Sequence, residues 1–410
     1  MARITTFANQ SKSEMEVKGS ISIKPGKDKS LVRRHPWVFS GAIKSIEGKV
    51  NEGDWVQVVA NKGRGLGFGH YSGGSIAVRM LSFEEKIDKE KLYKDRIRSA
   101  FELRRSIGLV ENSDTNIYRL VHAEGDQLPG LIIDHYDGHL VIQCHSTGMY
   151  RDIDLIQNAI KNVYGKSLKS IYLKSEATLP KDVVDYSGDQ YLFGEAELPV
   201  VALEHGNKFS IDWITGQKTG FFIDQRENRA LLAKYAAGKK VLNTFCYSGG
   251  FSIYALNNKA TLVHSLDASQ KAIDLTDINV ALGKFDPKSH KSIVDDAMDY
   301  IKDVDEDFDI IILDPPAFAK HRSAKHNAVQ GYKRLNAHAI RQIKPGGIIF
   351  TFSCSQVVDK VLFTNTIIAA AFAAERNVRI LEQLHQPADH PINAAHPEGE
   401  YLKGLVIQVE

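Results

Sequence analysis

Cysteine is scarce: three residues among 410, at Cys144, Cys246 and Cys354, each far from the next. That excludes a disulfide scaffold, a CxxC zinc site and a cysteine-ligated iron–sulfur cluster built by this chain alone. Long hydrophobic runs are also missing. A candidate such as Ile367–Ala374 is short and alanine-rich, well under the roughly 20 residues a membrane span needs. The opening Met-Ala-Arg-Ile-Thr-Thr-Phe has no apolar signal core, so the expectation is a cytoplasmic protein with reduced thiols and no membrane partner. No single sign of charge dominates: 52 Lys and Arg stand against 50 Asp and Glu. What is present is ordinary globular material, 43% hydrophobic and 25% charged, enough for two or three domains with real cores.

The balanced charge hides an asymmetry. Residues 1–110 hold 21 basic against 12 acidic residues, and the remainder holds 31 against 38. A basic front on an acidic body suggests a polyanion-binding module, although a lysine-rich soluble domain gives the same count. Residues 1–19 read as a loose polar tail. Residues 20–94 alternate in short strands with glycine-rich turns (Gly63-Arg-Gly-Leu-Gly-Phe-Gly), the pattern of a small β-barrel. A charged helix follows over Lys86–Arg105. Residues 95–204 form a middle α+β unit, in which Arg119, His122 and Asp134 read as turn and cap residues. From 205 to 410 strands alternate with helices, as in a doubly wound, mostly parallel sheet.

Ligands bind such sheets at the carboxyl ends of the strands, and three motifs fall there. Asn243-Thr-Phe-Cys-Tyr-Ser-Gly-Gly-Phe-Ser ends the first strand. Its Phe245, Tyr247, Ser248, Gly249 and Gly250 form a turn that lets backbone approach a ligand. Asp267 ends the second strand, where a carboxylate accepts from ribose hydroxyls. A glycine turn with an acidic strand end serves both dinucleotide and S-adenosylmethionine (SAM) sites; the dinucleotide fingerprint G-x-G-x-x-G is absent. Leu313-Asp314-Pro315-Pro316-Ala317-Phe318 makes a stiff, carbonyl-lined wall for a planar base. Cys354, in Phe352-Ser-Cys-Ser, leaves the sheet beside that wall. A helix expected near Asp359 would favour its thiolate, and a thiolate there suits attack on C6 of a pyrimidine. A packed core cysteine is the plain alternative.

Together with Thr215-Gly-Gln-Lys-Thr-Gly-Phe-Phe-Ile-Asp-Gln-Arg, Gly331-Tyr-Lys-Arg-Leu-Asn, Asp389-His-Pro and Pro397-Glu-Gly-Glu-Tyr-Leu-Lys-Gly, these motifs resemble the bacterial cytosine-C5 methyltransferases of large-subunit ribosomal RNA. Arg33-Arg-His-Pro-Trp-Val-Phe-Ser-Gly-Ala-Ile is similar to their N-terminal PUA domain, and Tyr118-Arg-Leu with Leu128-Pro-Gly-Leu-Ile-Ile-Asp to their linking domain. The resemblance implies an α/β fold: a C-terminal Rossmann-like SAM methyltransferase behind a PUA barrel and a middle α+β domain. It implies SAM held by the first motif, Asp267 on its ribose, and Asp296 and Ala297 at the adenine. Gln225 lies in the segment 217–226 that closes over the cofactor. Cys354 becomes the nucleophile, Asp314 acts at N3, and Pro315, Pro316 and Phe318 hold the base. Arg33 and Arg34 contact the RNA, while Trp37 packs in the barrel. The implied site takes no metal, and a homodimer is allowed for. A methyltransferase acting on a base nitrogen and an inactive RNA-binding assembly factor are the competing readings. Ala317, and the basic stretch Lys320–Gln330, read as divergent or as a solvated loop, depart from the family pattern.

Overall fold

The computed structural model describes residues 17–180, 186–304, 307–319 and 321–410. The N-terminal module is a six-stranded sheet in the order Trp37–Phe39, Ile76–Ser82, Gly65–Tyr71, Trp55–Val59, Gly19–Ile23, Ile43–Gly48. Alternation places Ile21, Ile23, Val56, Val58, Val78 and Met80 in one core. Glycine is required where two strands cross closely: a Cβ on Gly69 would stand 2.2 Å from the Arg79 carbonyl oxygen. Trp55, Phe68 and Leu81 enter the core of the next domain instead. Asp152 seals that junction, accepting from Trp55 Nε1 (2.8 Å) and Tyr93 Oη (2.7 Å), with His70 Nε2 at 2.9 Å.

The middle domain is a five-stranded sheet ordered Gln190–Phe193, Ser170–Leu173, His139–Cys144, Leu131–Tyr136, Ile117–His122. Helices Lys89–Ser106 and Ile153–Tyr164 cover one face through Tyr93, Ile97, Ile156 and Ile160. On the other face lie the hairpin Val200–Glu204/Asn207–Ile211, Trp213, and Ile253 and Tyr254 of the following domain. The described residues therefore pack as one body, with apolar side chains bridging each junction.

The C-terminal sheet has seven strands: His290–Val294, Leu262–Asp267, Lys240–Thr244, Ile310–Leu313, Ile348–Ser353, Lys403–Val409, Val378–His385. The first five are parallel, and Lys403–Val409 runs antiparallel to both its neighbours. Helices cover both faces. The strand order reverses at Lys240–Thr244, so the crevice for a ligand opens at its carboxyl end. Val378–His385 had no expectation behind it; it exposes most of its side chains and lacks the apolar run of a buried strand. In the basic stretch after the prolines, Lys320 lies outside the described residues, and Lys325 opens a helix that runs to Gln342 rather than a solvated loop. No helix among the described residues is long and apolar enough to cross a membrane.

Buried arginine–carboxylate pairs join the parts. Arg119 and Asp134 face each other across two strands and pair through both nitrogens (2.8 and 3.0 Å), so the expected turn and cap roles give way to a buried ion pair. Arg104 pairs with Asp126 (2.5 and 2.8 Å), and Arg229 with Glu204 (both 2.8 Å). Arg226 pairs with Asp389 (3.0 and 2.9 Å), whose Oδ2 also accepts from Arg119 N (2.9 Å). Removing one partner strands a charge without water. Asp389→Ala is expected to cost about 3–5 kcal/mol of stability, measured by urea unfolding. A loss under about 1 kcal/mol would show that water reaches Arg226.

Candidate active site

The first motif is a strained turn. Phe245, Tyr247 and Gly249 take left-handed backbone, with φ of 54°, 47° and 72°, which costs about 1–3 kcal/mol per non-glycine residue. Hydrogen bonds hold it: Tyr247 N donates to Asp267 Oδ2 (3.1 Å), Cys246 N to the Leu266 carbonyl (3.0 Å), and Asn279 Nδ2 to the Ser248 carbonyl (2.8 Å). A Cβ on Gly249 would meet Thr276 Cγ2 at 2.8 Å, so only glycine fits. The helix Gly250–Asn257 then starts with no side-chain cap among the described residues, leaving amide donors for a carboxylate ligand. Asp267 lies at the next strand end, its Oδ1 accepting from Ser269 N (3.0 Å). Asp296 caps the helix Ala297–Tyr300 through Met298 N (2.7 Å) and Asp299 N (3.2 Å), with Ala297 buried behind it. Segment 217–226 folds over the turn: Gln217 N donates to Tyr247 Oη (3.0 Å), and the Phe222 ring meets the Tyr247 ring edge-on at 5.0 Å. Donors, a ribose-side carboxylate and a cover of this kind fit SAM.

Leu313 pairs with Thr351 across two parallel strands, so Asp314 and Cys354 leave the sheet side by side. Their loops are tied. Ser355 Oγ donates to the Ala319 carbonyl (3.1 Å), and Tyr332 Oη donates to Ser355 Oγ (3.4 Å). Lys403 Nζ donates to the carbonyls of Ser355 and Val358, both at 2.7 Å. Pro315 is buried and Pro316 exposed. Phe318, expected on the base, is half-buried against Tyr332 with ring centroids 4.6 Å apart. Its neighbour Gly331 leaves just enough room, since a Cβ there would stand 3.0 Å from the Phe318 ring.

Burial and the neighbouring Asp224 push the Asp314 carboxyl up to about 7, against a smaller opposing pull from the Gln225 hydrogen bond. Gln225, expected on the cofactor, donates through Nε2 to Asp314 Oδ2 (3.0 Å), and its Oε1 accepts from Asn228 Nδ2 (2.6 Å). Asp224 in turn accepts from Tyr401 Oη (2.8 Å). The Cys354 thiol is raised, first by burial and then by Asp314, with Lys218 opposing. The helix expected near Asp359 is present as Lys360–Ala374, and its N-terminus is capped by Asp359, which accepts from Leu362 N (2.9 Å). Cys144 and Cys246 are buried with thiols pushed up to about 12, so Cys354 alone of the three is partly open. Sequence reasoning missed Lys218, Asp224, Asn228, Tyr401 and Lys403; all lie within or beside the quoted motifs, but nothing in their spacing marks them.

A cleft of about 830 Å³ lies between the middle domain and the segment Gly216–Lys218, lined by Arg119, His145, Lys174, Lys218 and Tyr401 with Glu124, Glu176 and Asp189. Burial, Arg119 and Arg79 lower His145 to about 4, so it presents an uncharged ring between cations. Arg33 and Arg34 lie elsewhere, exposed at a turn of the barrel where Arg34 has φ of 64°. Trp37, expected in the barrel core, is half-buried at its rim and donates through Nε1 to Glu124 of the middle domain (2.8 Å).

A switch-point glycine turn, an acidic second strand and this sheet order define a SAM-dependent methyltransferase. Residues 122–405 match the S-adenosylmethionine-dependent methyltransferase family model and residues 21–83 a PUA-like domain, and the chain belongs to that methyltransferase family. Relatives include the ribosomal RNA large subunit methyltransferases I of Aeromonas hydrophila and Shewanella denitrificans. Each is 40% identical over 397 residues, 95% of this chain and 99% of the relative. A solved methyltransferase structure complexed with SAH shares the fold, with a TM-score of 0.82 at 23% identity over 95% of this chain and 99% of that one.

A carboxyl raised from its ordinary 3.8 to about 7 means that the folded state holds this proton more tightly than the unfolded chain. Stability then falls as pH rises from about 4 to about 7 and stays reduced above. Asp314→Asn is expected to raise Tm at pH 8 and leave it nearly unchanged at pH 4, read by thermal melts; an equal shift at both would contradict the raised carboxyl.

Proposed function

We propose that the chain methylates C5 of a cytidine in large-subunit ribosomal RNA through a covalent cysteine adduct. The observation that carries this reading is the placement of a partly open cysteine and a carboxyl raised to about 7 by burial at the ends of adjacent strands. The relatives, ribosomal RNA large subunit methyltransferases, supply the RNA class. The cytidine leaves the RNA stack, at about a few kcal/mol, and lies over the Asp-Pro-Pro wall. The Cys354 thiolate adds to C6, breaking the C5–C6 π bond and placing an electron pair on C5. Asp314, raised by burial so that a fraction of it is protonated near neutral pH, gives its proton to N3 or shares it there, and so neutralises the charge that addition develops. Gln225 orients that carboxyl, while Lys218 and Lys403 favour the thiolate. Bound SAM supplies the methyl group that C5 takes. Loss of the C5 proton and expulsion of Cys354 restore the ring. The cleft offers Lys174 and Lys218 for phosphates and the neutral His145 ring for stacking, beside the acids Glu124, Glu176 and Asp189 that bound it, and such a mix of bases and a ring suits single-stranded RNA; Arg33 and Arg34 extend the contact to the barrel.

Cys354→Ala is expected to abolish 5-methylcytidine in an assay with ribosomal RNA while SAM still binds by calorimetry. Full activity would sink the adduct and favour a base-nitrogen reaction. Asp314→Asn is expected to lower kcat by about 10²–10⁴-fold with SAM affinity unchanged. The productive enzyme has Asp314 protonated and Cys354 ionised, so the wild-type rate should climb to about pH 7 and then level off. The residual rate of Asp314→Asn should keep climbing through pH 7. A break retained in the variant would assign it to another group.

The double reversal Arg33→Glu and Arg34→Glu is expected to weaken RNA binding and flatten its salt dependence, by about 0.7 in slope for each lost single-strand phosphate contact. An unchanged slope would remove this turn from the RNA path.

A further inference from the structure

We propose that His35, His396 and Glu398 form a binding site for a divalent transition-metal ion, best suited to Zn²⁺, that clasps the N-terminal barrel to the C-terminal segment of the methyltransferase domain. The three side chains each offer one ligand atom, and these atoms all lie within 4.8 Å of one another. Both imidazoles aim Nε2 at the same atom: His35 Nε2 is 3.7 Å and His396 Nε2 is 3.9 Å from Glu398 Oε2. Two ligands of a tetrahedral zinc, each at about 2.1 Å, stand about 3.4 Å apart, so each imidazole is within a few tenths of an ångström of that spacing from the carboxylate, and the two imidazole ligand atoms, within 4.8 Å of each other, close by side-chain rotation.

The second observation concerns His396. It is 3% exposed, and neither ring nitrogen has a hydrogen-bond partner among the described residues. A buried imidazole without partners costs about 1–3 kcal/mol per unmet group. An ion on Nε2 removes one of those costs. The ring is not free to turn away, because the Trp37 ring packs on it with centroids 4.2 Å apart. Trp37 is itself pinned through Nε1 to Glu124, whose carbonyl accepts from Asn393 Nδ2 (3.1 Å). The barrel, the middle domain and the C-terminal segment thus converge on this spot.

His35 carries the matching outer contact. Its Nδ1 is 3.3 Å from the Trp37 carbonyl oxygen and 3.1 Å from Trp37 N. Metal on Nε2 fixes the tautomer with the proton on Nδ1, donated to that carbonyl. Without metal, Nδ1 accepts from Trp37 N instead. Two imidazoles and one carboxylate are a borderline nitrogen and oxygen set that suits Zn²⁺ and Co²⁺, with a remaining position for water. Asp314 and Cys354 belong to other elements, so the ion's role is to hold domains together.

The test uses tag-free, full-length protein stripped of metal and titrated with Co²⁺. The expected result is one Co²⁺ per chain, with visible d–d absorption, no thiolate-to-cobalt charge-transfer band, and displacement by Zn²⁺. Zn²⁺ should also raise Tm by mass action. His396→Gln and Glu398→Gln should each remove both effects. Glu398 is exposed, so its variant keeps the comparison valid if His396→Gln fails to fold. Wild-type protein that binds no more Co²⁺ than Glu398→Gln, or a spectrum carrying thiolate bands, would overturn the proposal.

Discussion

The carboxylate of Asp389 is the point on which the assembly of this molecule depends. It is fully buried and takes both terminal nitrogens of Arg226 and the backbone N–H of Arg119, while its carbonyl takes Arg104 Nη2 at 2.6 Å. Strand Ile117–His122, helix Lys89–Ser106, helix Arg226–Ala236 and the C-terminal segment therefore meet on one residue. A buried pair of this sort gains little over an apolar replacement, but it has one geometry. Arg226 follows Asp224 and Gln225 directly, so fixing its guanidinium fixes the two side chains that surround Asp314. The ion pair is remote from the reacting edge in sequence and sets that edge's electrostatics through one turn of backbone.

Those electrostatics run against stability. Asp224 beside Asp314, and Asp314 beside a half-buried thiol, are arrangements that a fold optimised only for stability would avoid. Burial favours the neutral form of each acid, and the carboxylate pair separates their roles: Asp224 is held below its ordinary value despite burial, by Lys218 and His390 first, whereas Asp314 rises. Two carboxyl groups that repel each other thus divide into a fixed charge and a titrating proton. Pushing the pKa values of neighbouring groups apart is how one site supports acid and base roles together.

Much of this was legible in the chain. The strands Lys240–Thr244, Leu262–Asp267, Ile310–Leu313 and Ile348–Ser353 are apolar runs ended by glycine, acid or proline, and the structure places them close to where periodicity did. The turn at Gly249 was legible from the glycine pair after an apolar strand, and the structure supplies the reason for glycine there, a positive φ with Thr276 2.8 Å from where a Cβ would stand. What was not legible follows one pattern. Gln225 sits in a motif assigned to the cofactor, yet its amide is used by Asp314. Phe318 stands next to a base wall, yet it packs on Tyr332. Arg119 and Asp134 look like polar strand ends, yet they pair inside the protein. In each case the residue type was informative and the partner was not, because the partner comes from another element.

The sequence by itself determined the fold class, the order of the modules and the pair Asp314 and Cys354 at neighbouring strand ends, since period-2 and period-3.6 patterns and turn chemistry are local properties of the chain. Only the tertiary structure decided which acid is raised and which lowered, which of three thiols is open, and that His35 and His396, far apart in the chain, stand 3.7 and 3.9 Å from one carboxylate oxygen. Those outcomes depend on burial and on distances between residues remote in sequence, and Coulomb and desolvation energies are set by position in space, which residue spacing alone does not specify.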